Sequence, residues 1–266
     1  DDQLFRYGIR LNANLIQDAE CLLIAVNTAP AGVPAKFTPA PWYYSPLLSP
    51  SGDHVISRNL NRVKAEFVSS IDLVGKQEEV QKTVILATSV YSLVVQAPVE
   101  ISLASINNPP DRRLFNQPSQ PVGVLLEGTF TSVFKNRMVD SYGINLSGVK
   151  NESLPTKMIV FSDGNLMSNQ FRMANGVPEY MPLGYDRYSK QTFGNKALLM
   201  NAVNYLCDDE GLMELRSRVF KIRLLDKVRI KESKLTWQIV NVIVPLLIIS
   251  VFGAMYVYIR RKKYRC

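Results

Sequence analysis

The organisation of this chain is set by residues 237–259, which read WQIVNVIVPLLIISVFGAMYVYI and contain no charged side chain. At about 1.5 Å per residue, a helix of this length spans a hydrocarbon core roughly 30 Å thick. A buried helix of a soluble domain would rarely run so far without a charged position for water. The stretch therefore predicts a membrane-spanning helix, with everything before it folded on one side of a bilayer.

The flanks of this span fit the two interfaces of a membrane. Trp237 begins it, and aromatic side chains are enriched at the headgroup layers. Pro245 interrupts it, which a membrane helix tolerates when neighbouring groups satisfy the freed backbone. A basic tail at 260–266 follows directly and contains Arg260, Arg261, Lys262, Lys263 and Arg265. We predict that these residues anchor the chain in membrane lipid.

Charge counting leaves the orientation of the span open. The segment 214–236 is also rich in Lys and Arg, so the two sides of the span are not clearly distinguished. Large domains translocate largely regardless of charge, and the tail directly abuts the span. These two facts favour a cytoplasmic tail.

The formal net charge of +8 comes from the two flanks of the span rather than from the body of the chain. Cations beside a span are explained by orientation and by anionic headgroups. Recognition of phosphates would need a basic surface on the folded domain. We therefore predict no nucleic-acid partner.

Three cysteines are too few for a disulfide framework. Cys21 and Cys207 precede the span, and they either pair in an oxidising compartment or remain two separate buried thiols. The sequence leaves both possibilities open. The chain also starts without Met or a signal-like apolar run, so we expect an upstream part to be missing.

Apolar runs predict the fold of residues 1–213. PVGVLLEG at 121–128 and TKMIVF at 156–161 lack polar alternation, which is typical of strands buried on both faces. The stretch 194–211 predicts a helix, with Asn195 as a cap at its start. Buried strands alternating with helices favour an α/β domain with a mainly parallel open sheet.

Six prolines between residues 30 and 50 predict a long surface loop at 28–54, because prolines at that density exclude helix interiors and central strands. The loop contains Trp42, Tyr43 and Tyr44, which are too apolar for a bare linker. These side chains either fold back onto the body or meet a partner.

A second dense stretch, at 181–195, mixes aromatic and charged side chains. Tyr185, Arg187 and Tyr188 form a combination typical of interface anchors, so we predict a partner interface here. The alternative is that the glycines of this stretch only turn the chain before the helix.

Two carboxylates directly follow buried strands, Glu127 in LLEG and Asp163 in FSDG. Ligands bind beyond the carboxyl ends of strands in an open α/β sheet, so these carboxylates and nearby Asn165 are candidate ligand-binding residues. The alternative is that each carboxylate caps a turn with the glycine after it.

Signatures of catalysis and metal binding do not occur in the sequence. It contains no P-loop, no nucleophile elbow and no metal-ligand spacing, so we predict no catalytic residue, no cofactor and no metal. His54 is the single histidine, and the sequence places no catalytic partner beside it. We expect a surface position or a helix entry for it.

Seven segments carry a resemblance to a known family. They are DDQLFRYGIRLN (1–12), PWYYSPLL (41–48), RNLNRVKAEFVSSID (58–72), PVGVLLEGTFTSVFKNR (121–137), SDGNLMSNQ (162–170), PLGYDRYSKQTFGNKALLMNAVNYLCDDEGL (182–212) and LRSRVFKIRLLDK (215–227). In this order they resemble the GldG family of gliding-motility ABC-transporter auxiliary proteins. None of them is a catalytic signature.

The resemblance implies a non-enzymatic subunit of the bacterial inner membrane that works with a GldF-like permease and a GldA-like ATP-binding subunit. It implies that 1–213 is the carboxy-terminal part of a longer periplasmic α/β domain, similar to class I glutamine amidotransferases and flavodoxin-like in its sheet. A basic juxtamembrane segment at 214–236, a span at 237–259 and a cytoplasmic tail at 260–266 then follow. The alternative is a periplasmic saccharide or peptide receptor that signals through the span.

Overall fold

The computed structural model describes residues 2–30, 32–52, 54–75, 80–106, 109–135, 150–216 and 234–264. The chain divides into two compact units, Asp1–Arg218 and Val219–Cys266. Most of the predicted juxtamembrane segment at 214–236 lies outside the described residues, as do Arg265 and Cys266 of the tail.

The first unit is rich in strands. Its described strands are β1 Ile9–Leu11, β2 Asn14–Asp18, β3 Cys21–Asn27, β4 Phe37–Pro50, β5 Val63–Lys64, β6 Ile71–Leu73, β7 Val80–Ala87, β8 Ser92–Gln96, β9 Pro121–Gly128, β10 Thr156–Phe161, β11 Phe171–Ala174, β12 Val177–Tyr180, β13 Tyr185–Asp186 and β14 Gln191–Thr192. Its described helices are α1 Asp2–Arg6, α2 Asn195–Leu206 and α3 Leu212–Arg216, with short 3-10 turns at Leu103–Ile106, Arg112–Leu114 and Gly164–Met167.

The main sheet has the strand order β10-β9-β7-β4-β3, with β5 also paired to β4. All pairings between the described strands are antiparallel. The prediction of a mainly parallel, flavodoxin-like α/β sheet is therefore wrong. An apolar run indicates that both faces of a strand are covered, but it carries no information about the direction of the neighbouring strands.

Burial of β9 explains why its sequence looked like a parallel strand. Val122 and Leu125 pack in one apolar cluster, whereas Val124 and Leu126 pack in a second cluster. The strand is thus buried on both faces within an antiparallel sheet. The strands expected at 121–128 and 156–161 are confirmed as β9 and β10, but the expected burial on both faces is wrong for β10, whose residues are partly buried or exposed.

The predicted proline-rich surface loop is wrong over most of its length, because 14 of its residues form β4. Pro39 and Pro41 lie opposite Ala25 and Leu23 of β3. The N–H of Thr28 donates to the carbonyl of Lys36 at 2.9 Å. Since hydrogen-bonded and non-hydrogen-bonded pairs alternate along an antiparallel ladder, both prolines occupy non-hydrogen-bonded pairs. The strand does not need their missing N–H groups.

The helix predicted at 194–211 is confirmed as α2, which packs on the sheet through Leu198 and Ala202. In the second unit, α4 extends over Lys234–Lys263 and encloses Pro245. Its described side chains, from Gln238 onward, are exposed. The portion Gln238–Lys263 is long and apolar enough to cross a membrane.

Candidate functional site

A cleft of about 190 Å³ opens on the first unit where β5, the 3-10 turn after β10 and the start of α2 meet. We name it the polar cleft. Its lining includes Lys64, Glu66, Asp163, Asn165, Ser168, Gln170, Tyr185 and Asn195. The structure thus brings Asp163 and Asn165, the candidate ligand residues, together with Tyr185, which was a candidate for a partner interface.

Asn195 fixes one wall of the polar cleft. Its side-chain Oδ1 accepts from the N–H of Lys64 at 3.0 Å, and its Nδ2 donates to the carbonyls of Lys64 and Leu166 at 2.7 and 2.9 Å. The side chain makes no capping hydrogen bond to α2, so the predicted cap role is wrong. It joins three segments that are distant in sequence, because β5 and the 3-10 turn both bond to one buried amide.

Asp163 fixes the opposite wall. One carboxylate oxygen accepts from the N–H of Glu66 at 2.9 Å, and the other accepts from the N–H of Asn165 at 2.7 Å. Burial raises the pKa of this carboxyl, and the backbone N–H donors partly oppose that rise. Both oxygens therefore hold the main chain, which agrees with a turn-capping role.

Glycines allow the chain to pass close to these groups. Gly184 has φ +80°, and a Cβ there would lie 2.8 Å from the Oδ1 of Asn195. A Cβ at Gly194 would lie 2.6 Å from the carbonyl oxygen of Asn61. The two glycines that bound the dense stretch thus serve turning and close approach.

The remaining polar groups of the cleft are available to a ligand. Across the part of the chain that the structure describes, the side chains of Asn165, Ser168 and Gln170 have no hydrogen-bond partner. Lys64 is buried but paired, with its Nζ 3.3 Å from Glu66 Oε1 and 4.0 Å from Asp186 Oδ1. Amide and hydroxyl groups of this kind suit a neutral, hydrogen-bonding ligand such as a sugar or a peptide.

A second hollow of about 260 Å³ adjoins the polar cleft and shares Lys64, Glu66 and Gln170 with it. We name it the edge groove, because Leu22, Leu23 and Ile24 of the sheet's edge strand form one side. Its lining also includes Trp42, which pairs with Leu22, and Phe67, Arg187 and Tyr188. Arg187 donates to the hydroxyl of Tyr188 at 2.9 Å and lies over its ring.

The aromatic residues of β4 point to different places. The rings of Trp42 and Tyr44 lie 5.5 Å apart, while Tyr43 packs on Phe115 at 5.1 Å. Tyr44 is buried, and Trp42 and Tyr43 are partly buried. Of the three, Trp42 lines the edge groove.

Glu127 lies away from the polar cleft. In the β9–β10 ladder Glu127 pairs with Lys157, whereas Phe161, just before Asp163, pairs with Gly123. The two candidate carboxylates are therefore at opposite ends of an antiparallel pair. Glu127 and Asp163 were expected to lie close together because the carboxyl ends of parallel strands meet at one edge of a sheet. That expectation is wrong, because β9 and β10 are antiparallel.

At its own end, Glu127 belongs to a cluster around Tyr205 of α2. The hydroxyl of Tyr205 donates to Glu127 Oε1 at 2.8 Å, and Lys157 Nζ lies 4.3 Å from the centre of the Tyr205 ring. His54 meets the same ring edge-on at 4.9 Å. Burial, then the hydrogen bond to Glu127, raises the pKa of Tyr205 far above its ordinary value. His54 is thus half-buried, and its Nδ1 accepts from the N–H of Ile56 at 3.2 Å.

Cys21 and Cys207 are both free thiols. Burial raises the pKa of the Cys21 thiol to about 11, so it stays protonated near neutral pH. Among the described residues, no group of three or more His, Cys, Asp or Glu side chains could hold a metal ion.

The sequence analysis did not identify those residues of the polar cleft that come from distant parts of the sequence. Lys64 and Glu66, Gln170, and Asn195 come from three separate segments, and no spacing rule links them. Asn195 carried a helix-start signal, but the structure uses its amide to bind β5 instead. Gly184 and Gly194, on either side of the stretch that contains Tyr185 and Arg187, were the one local sequence sign that the backbone passes close to other groups here.

Comparison with protein families gives one match. A family described as an ABC-type uncharacterized transport system matches residues 1–202. No curated protein and no solved structure matches the chain. The matched residues include those of the polar cleft and the edge groove, and they end before α4.

Proposed function

This chain belongs to the family of ABC-type transport auxiliary proteins, and from that premise we propose that it is a non-enzymatic, membrane-anchored auxiliary subunit of an ABC transporter. The observation that carries this proposal is the fully exposed apolar helix Gln238–Lys263, which follows a folded domain of that family. An uncovered apolar surface of this length suits lipid or another membrane helix.

Orientation and identity form the finer part of the proposal. Residues 1–213 lie in the periplasm, 214–236 lead to the bacterial inner membrane, 237–259 cross it, and the tail at 260–266 is cytoplasmic. Trp237, Pro245 and the cations Arg260, Arg261, Lys262 and Lys263 form the anchor. The resemblance to the GldG family supports a role in gliding motility beside a GldF-like permease and a GldA-like ATP-binding subunit.

In this proposal the edge groove receives a polypeptide partner. Trp42, Arg187 and Tyr188 offer large aromatic and guanidinium surfaces, which are the side chains enriched at binding hot spots. Tyr185 extends this surface into the polar cleft. ATP hydrolysis then belongs to a separate subunit, and this chain contributes binding.

A second candidate function is a receptor for a saccharide or peptide. The free amide and hydroxyl groups of Asn165, Ser168 and Gln170 favour it, because they are poised for a neutral ligand. A ligand that binds only the folded state must raise the apparent melting temperature by mass action. Thermal melting of the full chain with oligosaccharide and peptide panels tests this candidate.

Affinity purification of the full chain from gently solubilised membranes tests the subunit proposal. We expect a permease and an ATPase, identified by mass spectrometry, to copurify. Arg187→Ala should reduce their recovery, whereas Arg172→Ala should not, because Arg172 is an exposed arginine paired with Glu179 on the β11–β12 hairpin. Failure to recover either subunit with the wild-type chain would contradict the proposal.

A further inference from the structure

The edge of the main sheet at β3 carries this inference. β4 is the strand that pairs with β3, and β3 ends the strand order of the main sheet. Among the described strands none pairs with the outer side of β3, which therefore presents backbone N–H and C=O groups in a row. Such a row is a template for another extended chain.

The register identifies which groups face outward. The Thr28–Lys36 bond and the alternation of antiparallel pairs put Leu22, Ile24 and Val26 in the pairs that bond to β4. The backbone groups of Leu23, Ala25 and Asn27 then point away from the sheet.

The two long edges of the β3–β4 hairpin differ in protection. Along β4, Pro39 and Pro41 occupy the outward positions and have no N–H to offer, which is a common way to block an edge. Along β3, the sequence CLLIAVN contains neither proline nor charge. Leu23 remains 47% exposed. The unprotected edge is thus the one beside the edge groove.

The edge groove lies next to this strand. Leu22 and Ile24 share one face of β3, and Leu22 pairs with Trp42 of β4, which also lines the groove. The groove therefore lies over that face of the β3–β4 pair and extends to Leu23 of the edge strand. An added strand would place apolar side chains in it.

We propose that a second copy of this chain pairs with β3 in antiparallel register, about a two-fold axis at Ala25. This inference rests on the proposed function, since the paired copy lies beside the edge groove, where we propose that a polypeptide partner binds. Leu23 of each copy then lies opposite Asn27 of the other, and all the outward groups find complementary partners.

The chemistry of β3 favours a second copy over a charged partner. The strand has no charge, so two copies meet without like-charge repulsion across the pair. In this register Val26 of one copy lies beside Ile24 of the other and faces the edge groove. A membrane anchor on each copy raises the local concentration of the two edges.

Mass measurement of the purified full chain in nanodiscs and in mild detergent tests the proposal. We expect a dimer for the wild type and a monomer for Leu23→Lys and Ala25→Pro, since the first places a charge inside the paired strands opposite Asn27 and the second removes an outward N–H. Phe171→Lys is the matched control, an exposed apolar residue on the β11–β12 hairpin, and should remain dimeric. A monomeric wild type, or a dimer unaffected by both β3 variants, would overturn the proposal.

Disulfide trapping gives a second readout that does not depend on proline being tolerated. Ala25→Cys, in a chain with its native cysteines changed to Ser, should cross-link to itself in membranes, because Cα atoms of such a pair are about 5.5 Å apart. Ala35→Cys, exposed at the far end of the hairpin, should not. Equal cross-linking at both positions would contradict the register. Recovery of the permease and ATPase is measured in a separate experiment. A dimer that forms without recovery of these subunits would contradict the subunit proposal and leave the dimer proposal standing.

Discussion

The two ends of the β9–β10 pair use carboxylates in contrasting ways. At one end Asp163 is buried, and both its oxygens accept backbone N–H groups beside the amide of Asn195. At the other end Glu127 accepts from the side chain of Tyr205, next to His54 and Lys157. The same local pattern, an apolar run followed by an acid and a glycine, thus gives hydrogen bonds to the main chain at one end and a side-chain network at the other.

This difference teaches where rigidity and adaptability lie. When the side chain of Asp163 or Asn195 is removed, the buried backbone groups that it bonds cannot find new partners. The protein then loses the full desolvation free energy of those groups. Side chains around Tyr205 can turn toward water, because that end is partly exposed. We therefore expect substitutions to be more damaging at the Asp163 end.

The largest effect should come from Asn195→Ala. It leaves one buried N–H and two carbonyls without their partner, at about 1–3 kcal/mol for each unsatisfied group. We expect a loss of about 3–5 kcal/mol in the free energy of unfolding, measured by urea denaturation. Asn204→Ala, an exposed position of the same helix, should change it by less than about 0.5 kcal/mol. Equal losses of stability at Asn195 and Asn204 would show that the buried hydrogen bonds of Asn195 contribute no more than an exposed side chain.

Asp163→Asn should have the next largest effect, about 1–3 kcal/mol, because an amide offers one acceptor where the carboxylate offers two. The pKa of Asp163 is raised by burial, so the folded state binds this proton more tightly than the unfolded state. Its contribution to wild-type stability therefore declines as pH rises from about 4 through the raised pKa.

Urea denaturation of both proteins across that pH range measures this linkage. The stability difference between wild type and Asp163→Asn should shrink as pH increases, and buried Asp18, which is present in both proteins, cancels in the comparison. A difference that grows with pH would mean that the carboxylate is stabilised in its charged form.

A smaller loss, about 0.5–1.5 kcal/mol, is expected for Tyr205→Phe, because one hydrogen bond to Glu127 is lost at a partly exposed site. Tyr180→Phe serves as the matched change, since that ring is 72% exposed. Thermal and urea unfolding of both variants supply the measurement. A loss as large as that of Asn195→Ala would show that the two ends are equally rigid.

The smallest effect concerns the titration of His54. Burial lowers its pKa, and the negative charge of Glu127 opposes that shift. The single imidazole resonance should therefore titrate below about 6.5 by NMR, and Glu127→Gln should lower its midpoint further. Glu210→Gln, an exposed change, should leave the midpoint in place.

Linkage gives this titration a consequence for stability. Since the unfolded chain binds the His54 proton more readily, stability should decline as pH falls below about 6.5. His54→Gln should flatten that decline. An unchanged decline in the variant would assign it to other groups.

Parts of the fold were predictable from local pattern. These elements are β9 and β10, identified by their apolar runs, and α2, identified by its periodicity. Both signals are properties of neighbouring residues and need no knowledge of distant contacts. The direction of the strands was not predictable, since an apolar strand has the same composition in either kind of sheet. The strand β4 was missed because its prolines are harmless only at positions that the register selects.

The candidate site was predictable only in fragments. Asp163, Asn165, Tyr185, Arg187 and Tyr188 were recognised as unusual in their local context. Their assembly into one region depends on long-range bonds such as that of Asn195 to Lys64, 131 positions apart. No short motif encodes such a bond.

By itself the sequence determined that residues 237–259 suit lipid, because an uncharged run of that length is a property of consecutive residues and needs no partner. It likewise determined that strands β9 and β10 and helix α2 form where their local patterns place them. Only the tertiary structure decided that Asp163 and Glu127 lie at opposite ends of the β9–β10 pair and that Asp163 lines the polar cleft together with Tyr185. The physical reason is that strand direction and register are set by pairing between distant segments, and a one-residue change of register moves every side chain to the other face.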